Sequence, residues 1–174
     1  ADVAAHVVEL ACIEPGMTVL EPSAGTGALV AAVIDAVDTE VVGYEINADL
    51  CALLSSKFPC YKLQARRADF LEVTEGMGQF PRVVMNPPFD NGADIRHVQH
   101  AFNMLAPGGR LVAIVANGPR QNAQLRPLAS TWEELPAGTF AGTNVRAAEW
   151  LIEALHQRQS TVLRVVQEVL KRQR

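Results

Sequence analysis

The sequence predicts an α/β protein: a doubly wound, mostly parallel sheet with helices on both faces, followed by a long C-terminal helical tail. Short apolar runs rich in β-branched residues alternate with stretches of helical periodicity. A glycine-rich turn, Pro22-Ser23-Ala24-Gly25-Thr26-Gly27, joins the first such run to a helix. Glu21, Glu45, Asp69 and Asn86 stand at or just beyond the ends of four successive runs.

Residues 3–12 carry apolar side chains at helical spacing and end before Glu14-Pro15-Gly16, where proline and glycine stop a helix. Residues 17–20 read as a strand, 28–37 as a helix, 40–46 as a buried strand and 48–58 as a helix. Strands follow at 61–64 and 82–85, then a helix at 95–105, the turn Ala106-Pro107-Gly108-Gly109 and an apolar strand at 110–116. Five strands separated by crossover segments predict a parallel sheet with right-handed connections. Residues 124–132 read as helical, and Gly138 and Gly142 suggest a turn between edge strands. Residues 149–174 contain neither proline nor glycine and read as an amphipathic helix, with a break near Gln159-Ser160-Thr161.

The 174 residues suffice for one self-stabilised domain. A net charge of -4 and a pI near 5.6 argue against a broad basic face for gripping nucleic acid, so any such binding must be local or borrowed. No apolar run approaches the ~18 to 20 residues that span a bilayer, and no secretory leader pattern opens the chain. A cytoplasmic location is expected. Cys12, Cys51 and Cys60 lack metal-ligand spacing and read as buried thiols, and no metal site is expected.

A strand that ends in a glycine turn and opens a helix suits nucleotide binding, because glycine admits close backbone approach and the helix start presents free N–H groups. The loop lacks the Lys-Ser/Thr pair of a triphosphate-binding loop and the third glycine of the dinucleotide fingerprint. Glu45, about twenty residues past the loop, suits a ribose diol. Asp69 reads either as a second ligand or as a cap for Phe70-Leu71-Glu72.

Asn86-Pro87-Pro88-Phe89 has its own chemical logic. Two prolines stiffen the backbone and hold Asn86 extended at the rim of the sheet. An amine on an aromatic ring or acyl carbon has a delocalised lone pair and is a poor nucleophile. The Asn86 side-chain oxygen and the Pro87 carbonyl can accept its two hydrogens and turn the lone pair toward an electrophile, while Phe89 stacks on the flat substrate. Asp90-Asn91-Gly92 reads as an ordinary turn, and His97 and His100 as surface or packing residues.

These motifs resemble those of the class I S-adenosylmethionine-dependent methyltransferases, whose sheet is Rossmann-like. Leu20-Glu21-Pro22-Ser23-Ala24-Gly25-Thr26-Gly27 is similar to their first motif, Gly43-Tyr44-Glu45-Ile46 to the second, Ala68-Asp69-Phe70 to the third and Asn86-Pro87-Pro88-Phe89 to the fourth. The wording is most similar to the adenine-specific DNA amino-methyltransferases. The resemblance implies that S-adenosylmethionine is held by Glu21, Pro22, Ser23, Ala24, Gly25, Gly27, Glu45, Ile46, Asp69, Phe70 and Asn86. It also implies that Asn86, Pro87, Pro88 and Phe89 act on a flipped adenine. Asn-Pro-Pro-aromatic motifs also serve enzymes acting on release-factor glutamine and on guanine amines of ribosomal RNA. DNA is thus the favoured partner and RNA the alternative, and a catalytically idle scaffold is the reading from another class. The resemblance covers residues 1–146, expected as the core. Residues 147–174 resemble a helical segment of sigma-54-type RNA polymerase sigma factors, which raises a fusion of two pieces and self-association through the tail helix.

Overall fold

The computed structural model describes residues 3–135 and 150–155. Its sheet has seven strands in the order β3-β2-β1-β4-β5-β7-β6. β1 (Thr18–Glu21), β2 (Glu40–Glu45), β3 (Leu63–Arg67), β4 (Phe80–Met85) and β5 (Leu105–Val115) are parallel neighbours. The order reverses at β1, so the crevice at a topological switch point opens beyond β1 and β4. No helix among the described residues is long and apolar enough to cross a membrane.

Strand periodicity assigns the two faces. Val19, Val41, Val84, Val112 and Ile114 point to one side, where they pack with Val7 and Val8 of α1 (Val3–Ala11), Val30 and Val33 of α2 (Ala28–Ala36) and Leu54 of α3 (Ala48–Lys57). Leu20, Val42, Val83, Met85, Leu111 and Ala113 point to the other, against Ile95, Val98, Ala101 and Met104 of α4 (Ala93–Met104). Alternate residues of each central strand are therefore buried on opposite faces, which is why these runs are apolar without a polar alternation. Asn47 starts α3 by accepting from the backbone N–H groups of Asp49 and Leu50, a side-chain cap.

Several expectations are corrected. Residues 124–132 do not form one helix: α5 is Pro119–Gln124, a 3-10 turn spans Arg126–Leu128, and Thr131–Glu134 is strand β6. Pro127 cannot continue an α-helix, because it lacks an N–H. The turn expected at Ala106-Pro107-Gly108-Gly109 is absorbed into β5 as an irregularity, with a register shift between Phe80 and Arg82 of β4. A Cβ on Gly109 would stand 2.8 Å from the Ala106 carbonyl oxygen, so only glycine fits this bulge. β3 starts at Leu63 rather than residue 61, because the N–H groups of Lys62 and Leu63 are both drawn to the Pro59 carbonyl in a turn. Of the three thiols, only Cys51 is buried; Cys12 and Cys60 are exposed in the turns that follow α1 and α3.

The largest correction concerns the tail. The helix expected from residue 149 is absent at its start: Trp150–Leu155 is strand β7, antiparallel to both β5 and β6. Its register with β5 runs from Arg110↔Leu155 to Val115↔Trp150. β7 thus lies inside the sheet although it falls beyond the boundary expected after Arg146. A six-residue run that is apolar except for Glu153 is ambiguous between strand and helix by periodicity, and the open edge of β5 decides for strand. The turn expected around Gly138 and Gly142 and the remainder of the tail, including the sigma-factor-like stretch, lie outside the described residues.

Candidate active site

The glycine turn is fastened to β2 through its backbone. Ala24 N–H donates to the Tyr44 carbonyl at 2.9 Å, and Gly27 N–H to the Ala24 carbonyl at 2.8 Å. Glu45, 9% exposed, accepts from Gly25 N–H at 2.8 Å with Oε2 and from Asn47 N–H at 2.8 Å with Oε1. Each carboxylate oxygen retains a further acceptor direction, since an ionised carboxylate offers about four. Gly27 has φ 82 and ψ 30, and a Cβ there would stand 2.7 Å from Leu54 and 2.8 Å from Phe58.

Glu21, at the end of β1, is 2% exposed, and its Oε2 has no hydrogen-bond partner. Burial pushes this carboxyl well above the ordinary range; a hydrogen bond with the Val30 backbone opposes the shift and the charge of Glu45 adds to it. A buried acid with an uncommitted oxygen is suited to meet a cation or an N–H donor.

A cleft of about 540 Å³ opens at the strand ends, within the range of small-molecule sites. Pro22 and Ser23 of the turn, Glu45 and Ile46 after β2, and Asp69 and Phe70 after β3 line it. So do Asn86, Pro87, Pro88 and Phe89. Of the residues expected at the site, Glu21, Ala24, Gly25 and Gly27 do not line the cleft. Ala24, Gly25 and Gly27 shape the turn, and Glu21 is buried at the end of β1. Asp69 is a cap, one oxygen accepting from Leu71 N–H at 3.0 Å at the start of the Phe70–Glu72 turn, and the residue also lines the cleft. Phe89 likewise lines the cleft while packing against the core on the α1–α3 face. The Asn86 side-chain amide makes no hydrogen bond among the described residues, so its oxygen is available to a ligand.

Tyr44 and Ala68, members of the second and third motifs to which no role is assigned, also line the cleft, as do Leu71 and His97, which lie beyond the motifs. His97 stacks on Phe70 with ring centroids 6.0 Å apart, and His100 meets the same ring edge-on at 4.8 Å. Their i, i+3 spacing on α4 is the signal in the sequence that both address one neighbour. His100 is confined to packing, with Nε2 2.8 Å from the Val73 carbonyl oxygen.

Residues 4–140 match the methyltransferase small domain family. The chain belongs to that family. It is 33% identical over 76 residues to the modification methylase CviBIII of Paramecium bursaria Chlorella virus NC1A, covering 43% of this chain and 20% of the methylase. The chain thus spans about a fifth of the length of that curated relative. Its fold matches an RNA methyltransferase from Salinibacter ruber in complex with S-adenosyl-L-homocysteine, with TM-score 0.68, 15% identity and coverage of 92% and 94%. It also matches an S-adenosylmethionine-dependent O-methyltransferase from Thermotoga maritima, with TM-score 0.68, 14% identity and coverage of 91% and 66%.

S-adenosylmethionine is the cofactor of this methyltransferase small domain, and the residues present fit it. The spare acceptor directions of Glu45 suit a ribose diol, and Ile46 with Phe70 offers apolar surface to a flat base. When bound, it supplies an electrophilic methyl group on a sulfonium.

Proposed function

We propose that the chain transfers a methyl group from S-adenosylmethionine to the exocyclic amino nitrogen of adenine in DNA, acting in the cytoplasm. The observation that carries this reading is that Asn86-Pro87-Pro88-Phe89 and the strand-end residues Glu45 and Asp69 share one cleft, with the Asn86 amide uncommitted. Asn86 and the Pro87 carbonyl accept the two amine hydrogens and orient the lone pair; Pro88 keeps the loop from relaxing, and Phe89 stacks on the base. Pro22, Ser23, Glu45, Ile46, Asp69 and Phe70 contact the cofactor, while Ala24, Gly25 and Gly27 shape the turn that presents Pro22 and Ser23, and Glu21 ends the strand that leads into that turn. The likeness to a modification methylase favours DNA among the possible carriers of such an amine.

A tritiated-methyl transfer assay across DNA, ribosomal RNA and release factor tests the reading. Label in DNA as modified adenine is expected, and Asn86→Ala should lower turnover by about 10²–10³ with S-adenosylmethionine affinity retained. Label confined to RNA or protein would refute the acceptor. Absence of cofactor binding in calorimetry would refute enzymatic function and leave a scaffold.

A further inference from the structure

Two arginines converge on the turn that follows the catalytic motif. Arg96, on the first turns of α4, donates from Nη1 to the Asn91 carbonyl at 3.1 Å. The Arg120 guanidinium, from α5, packs over Gly92 with Nη1 3.6 Å from where a Cβ would stand. The two cations therefore flank consecutive residues. Both side chains are exposed, and neither forms an ion pair among the described residues, the nearby Asp90 included. The Asp90–Gly92 turn lies in the chain between Phe89 and His97, both of which line the cleft.

A buried frame sets this arrangement. Asp94 is 0% exposed and accepts from Gln121 Nε2 at 2.9 and 3.1 Å, from Ala116 N–H at 3.1 Å and from Ile95 N–H at 2.9 Å. Asp94 precedes Arg96 by two residues and Gln121 follows Arg120, so the Asp94–Gln121 bonds tie the two arginine-bearing segments together. Gly118 makes room for this, since a Cβ there would stand 2.6 Å from Gln121 Oε1. Exposed arginines on loosely held segments are ordinary solvated charges; these two are anchored beside the residues that address the substrate base.

We propose that Arg96 and Arg120 form a clamp for the phosphodiester backbone flanking the nucleotide whose base enters the cleft. This rests on nucleic acid being the carrier of the target amine. Guanidinium groups match phosphate oxygens in geometry as well as charge. A local clamp also answers the net charge of -4, which leaves the chain no general means of attracting a polyanion.

The test is fluorescence anisotropy with labelled adenine-containing oligonucleotides, single-stranded DNA, duplex DNA and single-stranded RNA, titrated with the full chain over a range of salt concentrations in saturating S-adenosylhomocysteine. The Arg96→Ala/Arg120→Ala variant should lower the slope of log affinity against log salt by about 2, one for each phosphate that is no longer neutralised. Arg96→Lys/Arg120→Lys should recover most of the slope, and S-adenosylhomocysteine affinity should be the same in all three proteins. Salt-dependent binding by the parent with an unchanged slope in the alanine variant would overturn the clamp and leave the nucleic-acid reading standing. Absence of binding to every oligonucleotide, with methyl label going to protein instead, would overturn both.

Discussion

Gly27→Ala should destabilise the fold by far more than a glycine-to-alanine change in an ordinary turn. Gly27 sits at φ +82, where an L side chain costs about 1–2 kcal/mol. Its new Cβ would also stand 2.7 Å from Leu54 Cδ2 and 2.8 Å from Phe58 Cε2. Leu54 is fully buried and cannot swing away into solvent, and overpacking of this kind costs about 1–3 kcal/mol. The sum is about 2–5 kcal/mol, a large share of the about 5–15 kcal/mol that holds a domain together. Gly16 is the internal control: it shares φ +82 but has open space where the Cβ would go, so Gly16→Ala should cost only the conformational part, about 1–2 kcal/mol. Urea unfolding of the two variants measures the difference as a shift in midpoint at constant m. If Gly27→Ala is no less stable than Gly16→Ala, packing of the glycine turn against α3 does not constrain the turn.

Glu21→Gln should stabilise the ligand-free protein at neutral pH, because the native carboxyl is pushed up by burial. Its contribution to stability is full below the ordinary carboxylate range and is lost as pH rises through the raised value; stability curves of the two proteins should therefore converge on acidification. Asp94→Ala leaves Ala116 N–H and Gln121 Nε2 without their acceptor, at about 1–3 kcal/mol each, so a urea midpoint within error of the parent would show that the frame is not closed in solution. Truncation after Leu155 should leave a cooperative fold, whereas truncation after Arg146 removes β7, exposes the β5 edge and should yield aggregated protein; a monomeric, cooperatively melting product of the shorter chain would show that a core ending at residue 146 folds without β7.

The parallel half of the fold and the cleft were legible in the sequence because each is written locally. β-branched runs, the Gly25 and Gly27 turn and the polar residue closing each strand follow one another at the spacing of a strand–helix unit, and the strands' C-terminal ends necessarily gather along one side of the sheet. That topology alone brings Glu45, Asp69 and Asn86 to one rim. Family wording added the cofactor, since spacing by itself left the nucleotide open.

What tertiary structure decided was everything whose stabilising partner is remote in the chain. Trp150–Leu155 contains good helix formers and no alternation, and becomes a strand because β5 offers it a six-residue ladder. Asp69 could be judged a cap or a ligand, and only the cleft shows that one carboxylate serves the turn while lining the pocket. His97 enters the site because α4 packs across Phe70, and Asp94 became a buried frame because Gln121 arrives 27 residues later to satisfy it. Local pattern reports the preferences of a segment, whereas burial and hydrogen-bond satisfaction depend on which other segments the fold brings against it. The wording of Asn86-Pro87-Pro88-Phe89 belongs to the first kind of information, and the cleft that these residues line belongs to the second.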